Sequence, residues 1–210
     1  MKKIVVDTWQ MIKTERLAAA DAFGTLSGAE WDAPSLCYGW HNRDTLAHIV
    51  ATAELTTGGF VGGMVRNGFK FNKMVANDIQ RVGADEPAQL IDRLRAAAPG
   101  PNHPPGPVAS MLMEIVVHGE DIAFALGKTI QHSNESLLAA ADFAKSAQPL
   151  VGCRKRIAGL SLHATDFEWS TGSGPEVRGP LVALLLAMSG RKTALDSLTG
   201  DGVAILRERD

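Results

Sequence analysis

Residues 108–126 constrain the fold more than any other stretch. At ~100° per residue, Leu112, Met113, Ile115, Val116, Phe124 and Leu126 spread around most of a helix circumference. Glu114, His118 and Asp121 form a narrow polar ribbon among them, clustered at about 300°, 340° and 280° from Met111. A helix apolar nearly all round is buried, and a buried carboxylate needs a partner. Other helices must therefore enclose this one, and its narrow polar ribbon must face something it can bind. Glu114 and His118 are four residues apart and meet at one point, which is how a helix presents two metal ligands. His48, in the apolar run Leu46-Ala47-His48-Ile49-Val50-Ala51, is the candidate third ligand. Two imidazoles and a carboxylate make an open tripod with one or more positions left for water or substrate, as in catalytic zinc sites. The same donors suit Fe(II) or Ni(II). The residues alone also allow a plainer reading, in which His48 is a hydrogen-bonded core histidine and Glu114–His118 a helix-face hydrogen bond. The pair is not the HExxH signature, because Glu114 replaces one histidine and no general-base glutamate lies between.

The rest of the first two thirds also reads as helix. An alanine-rich helix is expected over 8–26, ending at Ser27-Gly28, and an irregular connection over 31–42. A second helix starts with Asn42 as its N-cap and Asp44 in the first turn, and runs to the glycines at 58–63. A third covers 71–98 with a break or kink near Pro87, and the proline-rich 99–107 must be a loop before the fourth. Four such helices predict a bundle. The pattern changes after about Pro149: 157–165 and 167–171 read as paired strands, 181–188 as an apolar helix, and 203–206 as a last strand. The expected fold is α+β, with a helical bundle over 1–148 and a small α+β domain over 149–210.

Composition closes off other classes. With 45% hydrophobic residues a packed core can form, and 21 basic residues against 23 acidic ones leave none of the basic excess that nucleic-acid binding needs. No apolar stretch reaches about 18 residues, and Asp7 comes too early for a signal-peptide core, so no membrane association is expected. Cys37 and Cys153 lie far apart, which is cytosolic usage and predicts a cytoplasmic protein. Neither is expected to be a ligand or nucleophile, since spacing places no base beside Cys37. His103 reads as a loop residue, and His41, His132 and His163 have no partner by spacing.

The segment Trp31-Asp32-Ala33-Pro34-Ser35-Leu36-Cys37-Tyr38-Gly39-Trp40-His41-Asn42-Arg43-Asp44-Thr45-Leu46-Ala47-His48 resembles the W-x-x-P-S-x-C-x-G-W-x-x-R-D-x-L-A-H segment of the mycothiol-dependent maleylpyruvate isomerase family. That family belongs to the DinB-like metal-binding four-helix bundles. Residues 114–123 are similar to its E-L-V-V-H-G-x-D-I-A, and the tail resembles its C-terminal domain at 164–166, 169–170, 172–180 and Gly190-Arg191. The resemblance implies a DinB-like bundle in which His48, Glu114 and His118 hold zinc or another divalent metal. It implies Asp121 as a carboxylate orienting a ligand imidazole. Arg191 would be a catalytic-site arginine clamping a carboxylate, and its plainer alternative is a charge at a helix end. Trp40, Phe71 and Asn72 would line the mouth of the cofactor pocket. The implied partners are a small-molecule thiol, mycothiol, and an electrophilic substrate, in an isomerase or thiol S-transferase. A non-catalytic metal- and ligand-binding stress-response protein is the alternative.

Overall fold

The computed structural model describes residues 7–148 and 151–209; residues 1–6, Pro149, Leu150 and Asp210, and with them the expected change of character at Pro149, lie outside the described set. The chain divides into two compact units, Met1–Ser133 and Asn134–Asp210. The division precedes a helix that the sequence reading did not anticipate, and so falls earlier than the expected boundary at 148/149.

In the first unit, α1 (Thr8–Phe23) buries Ile12, Glu15, Arg16, Ala19, Ala20 and Phe23, a stripe at helical spacing. A one-turn α2 (Gly28–Trp31) starts at Ser27, whose hydroxyl accepts from the Glu30 amide while Glu30 accepts from the Ser27 amide at 2.7 Å. Next comes α3 (Asn42–Glu54), capped by His41 rather than by Asn42. Asn42 is buried and its amide donates to the Glu30 carbonyl at 2.8 Å, while Asp44 reaches back to the His41 amide at 2.8 Å. The expected second helix ends early: Leu55 is extended and Thr56 caps a separate α4 (Thr57–Arg66), its hydroxyl accepting from Gly59 at 3.0 Å. The expected third helix is also two, α5 (Phe71–Val82) and α6 (Pro87–Ala97), with Pro87 at the start of α6 where its missing N–H costs nothing. The loop over 99–107 leads into α7 (Ala109–Ala123), extended by a 3-10 turn over Phe124–Leu126 and closed by Gly127 at φ 64°.

Helices α1, α3, α6 and α7 close a four-helix ring, α1 against α6 and α7, α3 against the same two, with α5 laid on α3. Arg93 on α6 secures the broken end of α3. It binds Glu54 through Nε and Nη2 at 2.9 and 2.6 Å, and Asp85 through Nη1 at 2.7 Å.

In the second unit, α8 (Asn134–Ala144) and a short α9 (Cys153–Arg156) precede a three-stranded sheet. The strands are β1 (Ser161–Ala164), β2 (Ser170–Gly172) and β3 (Glu176–Gly179), in the order β2-β1-β3. β1 is antiparallel to β2, with Leu162 opposite Thr171, and parallel to β3, with Leu162 opposite Val177. The apolar α10 (Leu181–Met188) packs on α8, β1 and β3, as its nearly continuous burial requires. The segment expected as a last strand is helical, α11 (Gly202–Glu208), which buries Gly202 and Leu206 at i,i+4. Four apolar-leaning residues are too few for periodicity to separate strand from helix. Among the described residues no helix is long and apolar enough to cross a membrane.

Candidate metal centre

On α3 every residue from Thr45 to Val50 is buried except His48, and on α7 every residue from Met111 to Ala123 is buried except Glu114 and His118. These three half-buried side chains face one another. Their candidate ligand atoms all lie within 4.8 Å, and the two imidazole rings meet edge to face at 4.7 Å. A tetrahedral ion with bonds of about 2.0–2.2 Å closes that span with small side-chain movements. Glu114 supplies the test of fit. Both its carboxylate oxygens are buried with no hydrogen-bond partner, which is costly for an anion unless a cation meets it. Burial lifts its carboxyl to about 7, against the pull of His118 and Arg16. The donor set therefore suits a divalent ion.

His118 is oriented from behind. Its Nδ1 lies 2.8 Å from Asp121 Oδ2, so Nδ1–H donates there and Nε2 is left for the tripod. Asp121 is itself fully buried. The same oxygen accepts from Cys37 Sγ at 2.9 Å, and that sulfur lies 3.5 Å from His118 Nδ1. Burial holds the His118 imidazolium down, but Asp121 and Cys37 outweigh it and raise the imidazole to about 10. Cys37, His118 and Asp121 also have donor atoms within 4.8 Å of one another. Two of their separations are hydrogen bonds, shorter than the gaps between donors around an ion, so this group supports His118. The expectation that no base stands beside Cys37 is overturned: a tight turn brings it there.

That turn explains the 31–42 segment. The Trp40 amide donates to the Cys37 carbonyl at 3.0 Å across Tyr38-Gly39, with Gly39 at φ 77°, where a Cβ would be strained. Ser35 and Trp40 are joined at 3.0 Å, and Pro34 pairs with His41. The Leu36 amide donates to the Asp121 carbonyl at 3.0 Å. The turn so delivers the Cys37 thiol to Asp121 and the Trp40 ring to within 5.2 Å of His48 and 6.4 Å of His118, the latter stacked.

A cavity of about 170 Å³ opens beside the tripod, lined by His48 and Glu114 and by residues of α3, α4, α5 and α7. Phe71, Met74, Val75 and Asp78 face it from α5 at helical spacing. Asn72, expected there, is exposed and not part of the lining, because one residue along a helix turns its side chain about 100° away.

Arg191 lies in the second unit, ahead of a 3-10 helix (Lys192–Ser197), and its Nη1 donates to the Ser189 carbonyl at 2.8 Å.

Two buried groups escaped the sequence reading. Arg16 is fully buried, donates from Nη1 to the Ala97 carbonyl at 3.2 Å, and acts electrostatically on Glu114; burial lowers its own pKa. His132 is clamped between Glu15 Oε2 at 2.6 Å and Glu120 Oε1 at 2.8 Å, all three almost fully buried. Its spacing to both is too long to read. Glu15 and Arg16, however, sit on the apolar stripe of α1, a signal present in the sequence.

A helical ring that gathers two imidazoles and a carboxylate without a hydrogen-bond partner beside a cavity defines a bundle with a candidate metal site, here followed by a small α+β unit. The profile of the Mycothiol maleylpyruvate isomerase N-terminal domain matches residues 13–100. That match covers 88 of the 210 residues and makes this stretch similar to that domain. Two solved structures share the fold: that of the mycothiol-dependent maleylpyruvate isomerase, 14% identical with a TM-score of 0.56, and that of a histidine-to-alanine mutant of such an isomerase, 14% identical with a TM-score of 0.58. Each alignment covers 92% of this chain and 91% of the other. No curated protein sequence matches this chain.

Proposed function

We propose that this protein is a metal-dependent enzyme that uses mycothiol as its thiol cofactor, with zinc held by His48, Glu114 and His118. The observation that carries the metal is the Glu114 carboxylate, buried with neither oxygen paired and turned toward two imidazoles. The thiol is suggested by the similarity of residues 13–100 to the mycothiol maleylpyruvate isomerase N-terminal domain. A Lewis-acidic ion in such a tripod keeps a thiol ligand ionised at neutral pH, which makes it a nucleophile.

The chain's own residues set up that chemistry. Asp121 fixes the His118 tautomer, and Cys37 steadies Asp121. Trp40 stands against both imidazole rings. The outcome is isomerisation if the thiol adds to an activated double bond and leaves again, or S-transfer if the adduct is released. Titrating zinc-loaded protein with mycothiol, beside glutathione and bacillithiol, and then following loss of an electrophile tests this reading. Saturable mycothiol binding with thiol-dependent turnover is expected. Metal binding without thiol affinity would favour the alternative of a non-catalytic metal- and ligand-binding protein.

Arg191 would clamp a substrate carboxylate, and Asn72 would contact the cofactor from the exposed start of α5. For a carboxylate-bearing substrate, Arg191→Ala is expected to keep its metal and fold and lose about 10- to 150-fold in kcat/KM, the worth of one charge-assisted bond. Normal turnover would reduce Arg191 to a helix-end charge.

A further inference from the structure

We propose that Arg16, a guanidinium buried on α1, is the fixed positive charge that makes the open position of the tripod prefer an anionic ligand to a neutral one. The inference rests on the metal reading above and gives a role in it to a residue outside the ligand set.

A guanidinium stays protonated even when buried, so its charge has to be met inside the protein. Arg16 is 1% exposed. Its Nη1 donates to the Ala97 carbonyl at 3.2 Å, and its Nη2 is buried with no hydrogen-bond partner among the described residues. The other buried acids of α1 and α7 are engaged elsewhere. Glu15 binds His132 Nδ1 at 2.6 Å and the Ser133 amide at 3.1 Å, and Glu120 binds His132 Nε2 at 2.8 Å. The carboxylate whose charge acts on Arg16 is Glu114, also buried and also without a hydrogen-bond partner. Helix α1 packs on α7, so the two charges are coupled across that helix pair with no hydrogen bond between them.

This coupling sets the charge at the tripod. Glu114 and Asp121 bring two negative charges to the surroundings of a divalent ion, and Arg16 offsets one of them. A positive balance is left at the open position, which favours an anion there over a neutral molecule. The thiolate of the reading above is such an anion. A unit charge acts on another about 10 Å away in a protein by roughly tenfold in affinity. Arg16 works through Glu114 and the ion, and is therefore a positioning residue.

Cobalt(II) bound to the full-length protein, followed by its visible absorption, gives a readout that needs no turnover. Azide is the anionic probe and imidazole at pH 8 the neutral one. Arg16→Met removes the charge and keeps much of the volume, an exchange that buried charged sites often accept. Arg16→Gln also keeps a donor for the Ala97 carbonyl. In both, azide affinity should fall about tenfold while imidazole affinity stays within twofold, and Arg16→Lys should recover part of the azide binding. A merely structural role would move the two probes together. Parallel loss of both probes, unchanged azide affinity in the neutral variants, no recovery in Arg16→Lys, or failure of both neutral variants to take up cobalt overturns the proposal. Wild type that takes up no cobalt overturns the tripod, and this proposal with it. If azide binding follows the charge at Arg16 while mycothiol neither binds nor supports turnover, the thiol reading fails and the role of Arg16 stands.

Discussion

Cys37 has a thiol that donates to Asp121 Oδ2, the same oxygen that fixes His118. Serine keeps a donor at that position and alanine does not. Cys37→Ser should therefore retain metal affinity within a few fold, and Cys37→Ala should lose more. Asp121→Ala, which removes the carboxylate that orients the His118 ring, should cost about 10- to 100-fold in affinity. Competition with a chromophoric chelator measures all three, and an Asp121→Ala protein that holds metal as tightly as wild type would sink the arrangement. Asp121 and His118 could be read from spacing along one helix. The Cys37 link could not, because it joins residues 84 positions apart through a turn.

At the scale of elements, the Glu15–His132–Glu120 clamp ties α1 and α7 to the chain that follows the 3-10 turn. Burial disfavours the His132 imidazolium, but Glu120 and Glu15 outweigh it and raise its pKa to about 9. A folded value above the unfolded one near 6.5 means that its contribution is full below about pH 6.5 and is lost as pH rises through about 9. The size is on the order of 3 kcal/mol. Denaturant midpoints of wild type should fall across that window, and His132→Gln should flatten this part of the profile and be less stable at pH 6. A profile identical to wild type would show that the clamp carries no net energy. The Cys37–Trp40 turn is a second element-scale test. Gly39→Ala forces a Cβ into φ 77° and should cost about 1 kcal/mol, with weaker metal binding because both Cys37 and Trp40 are displaced.

For the whole molecule, the metal and the fold share one account. The four-helix ring closes around a carboxylate with no hydrogen-bond partner, so an ion bound there would also stabilise the fold. Chelation should lower the Tm of wild type by roughly 5–10 °C, as expected for a ligand held well above its Kd in a chain of this size. The Tm of Glu114→Gln should hardly respond to the same chelator, since it has neither the third ligand nor a buried charge to neutralise. Equal shifts in the two proteins would place the ion elsewhere. Much of this was legible in the sequence by itself. The all-round apolar 108–126 helix, the i,i+4 pair Glu114–His118, His48 in its apolar run and the prolines at 87 and 99–107 are local patterns, and helical periodicity makes local patterns readable. The tertiary structure decided what depends on contact between distant segments. It brought Cys37 to Asp121, clamped His132 between Glu15 and Glu120, turned Asn72 to solvent, made 202–208 a helix, and set an apolar wall beside the tripod. Those outcomes follow from which faces pack together, and no spacing along the chain encodes that.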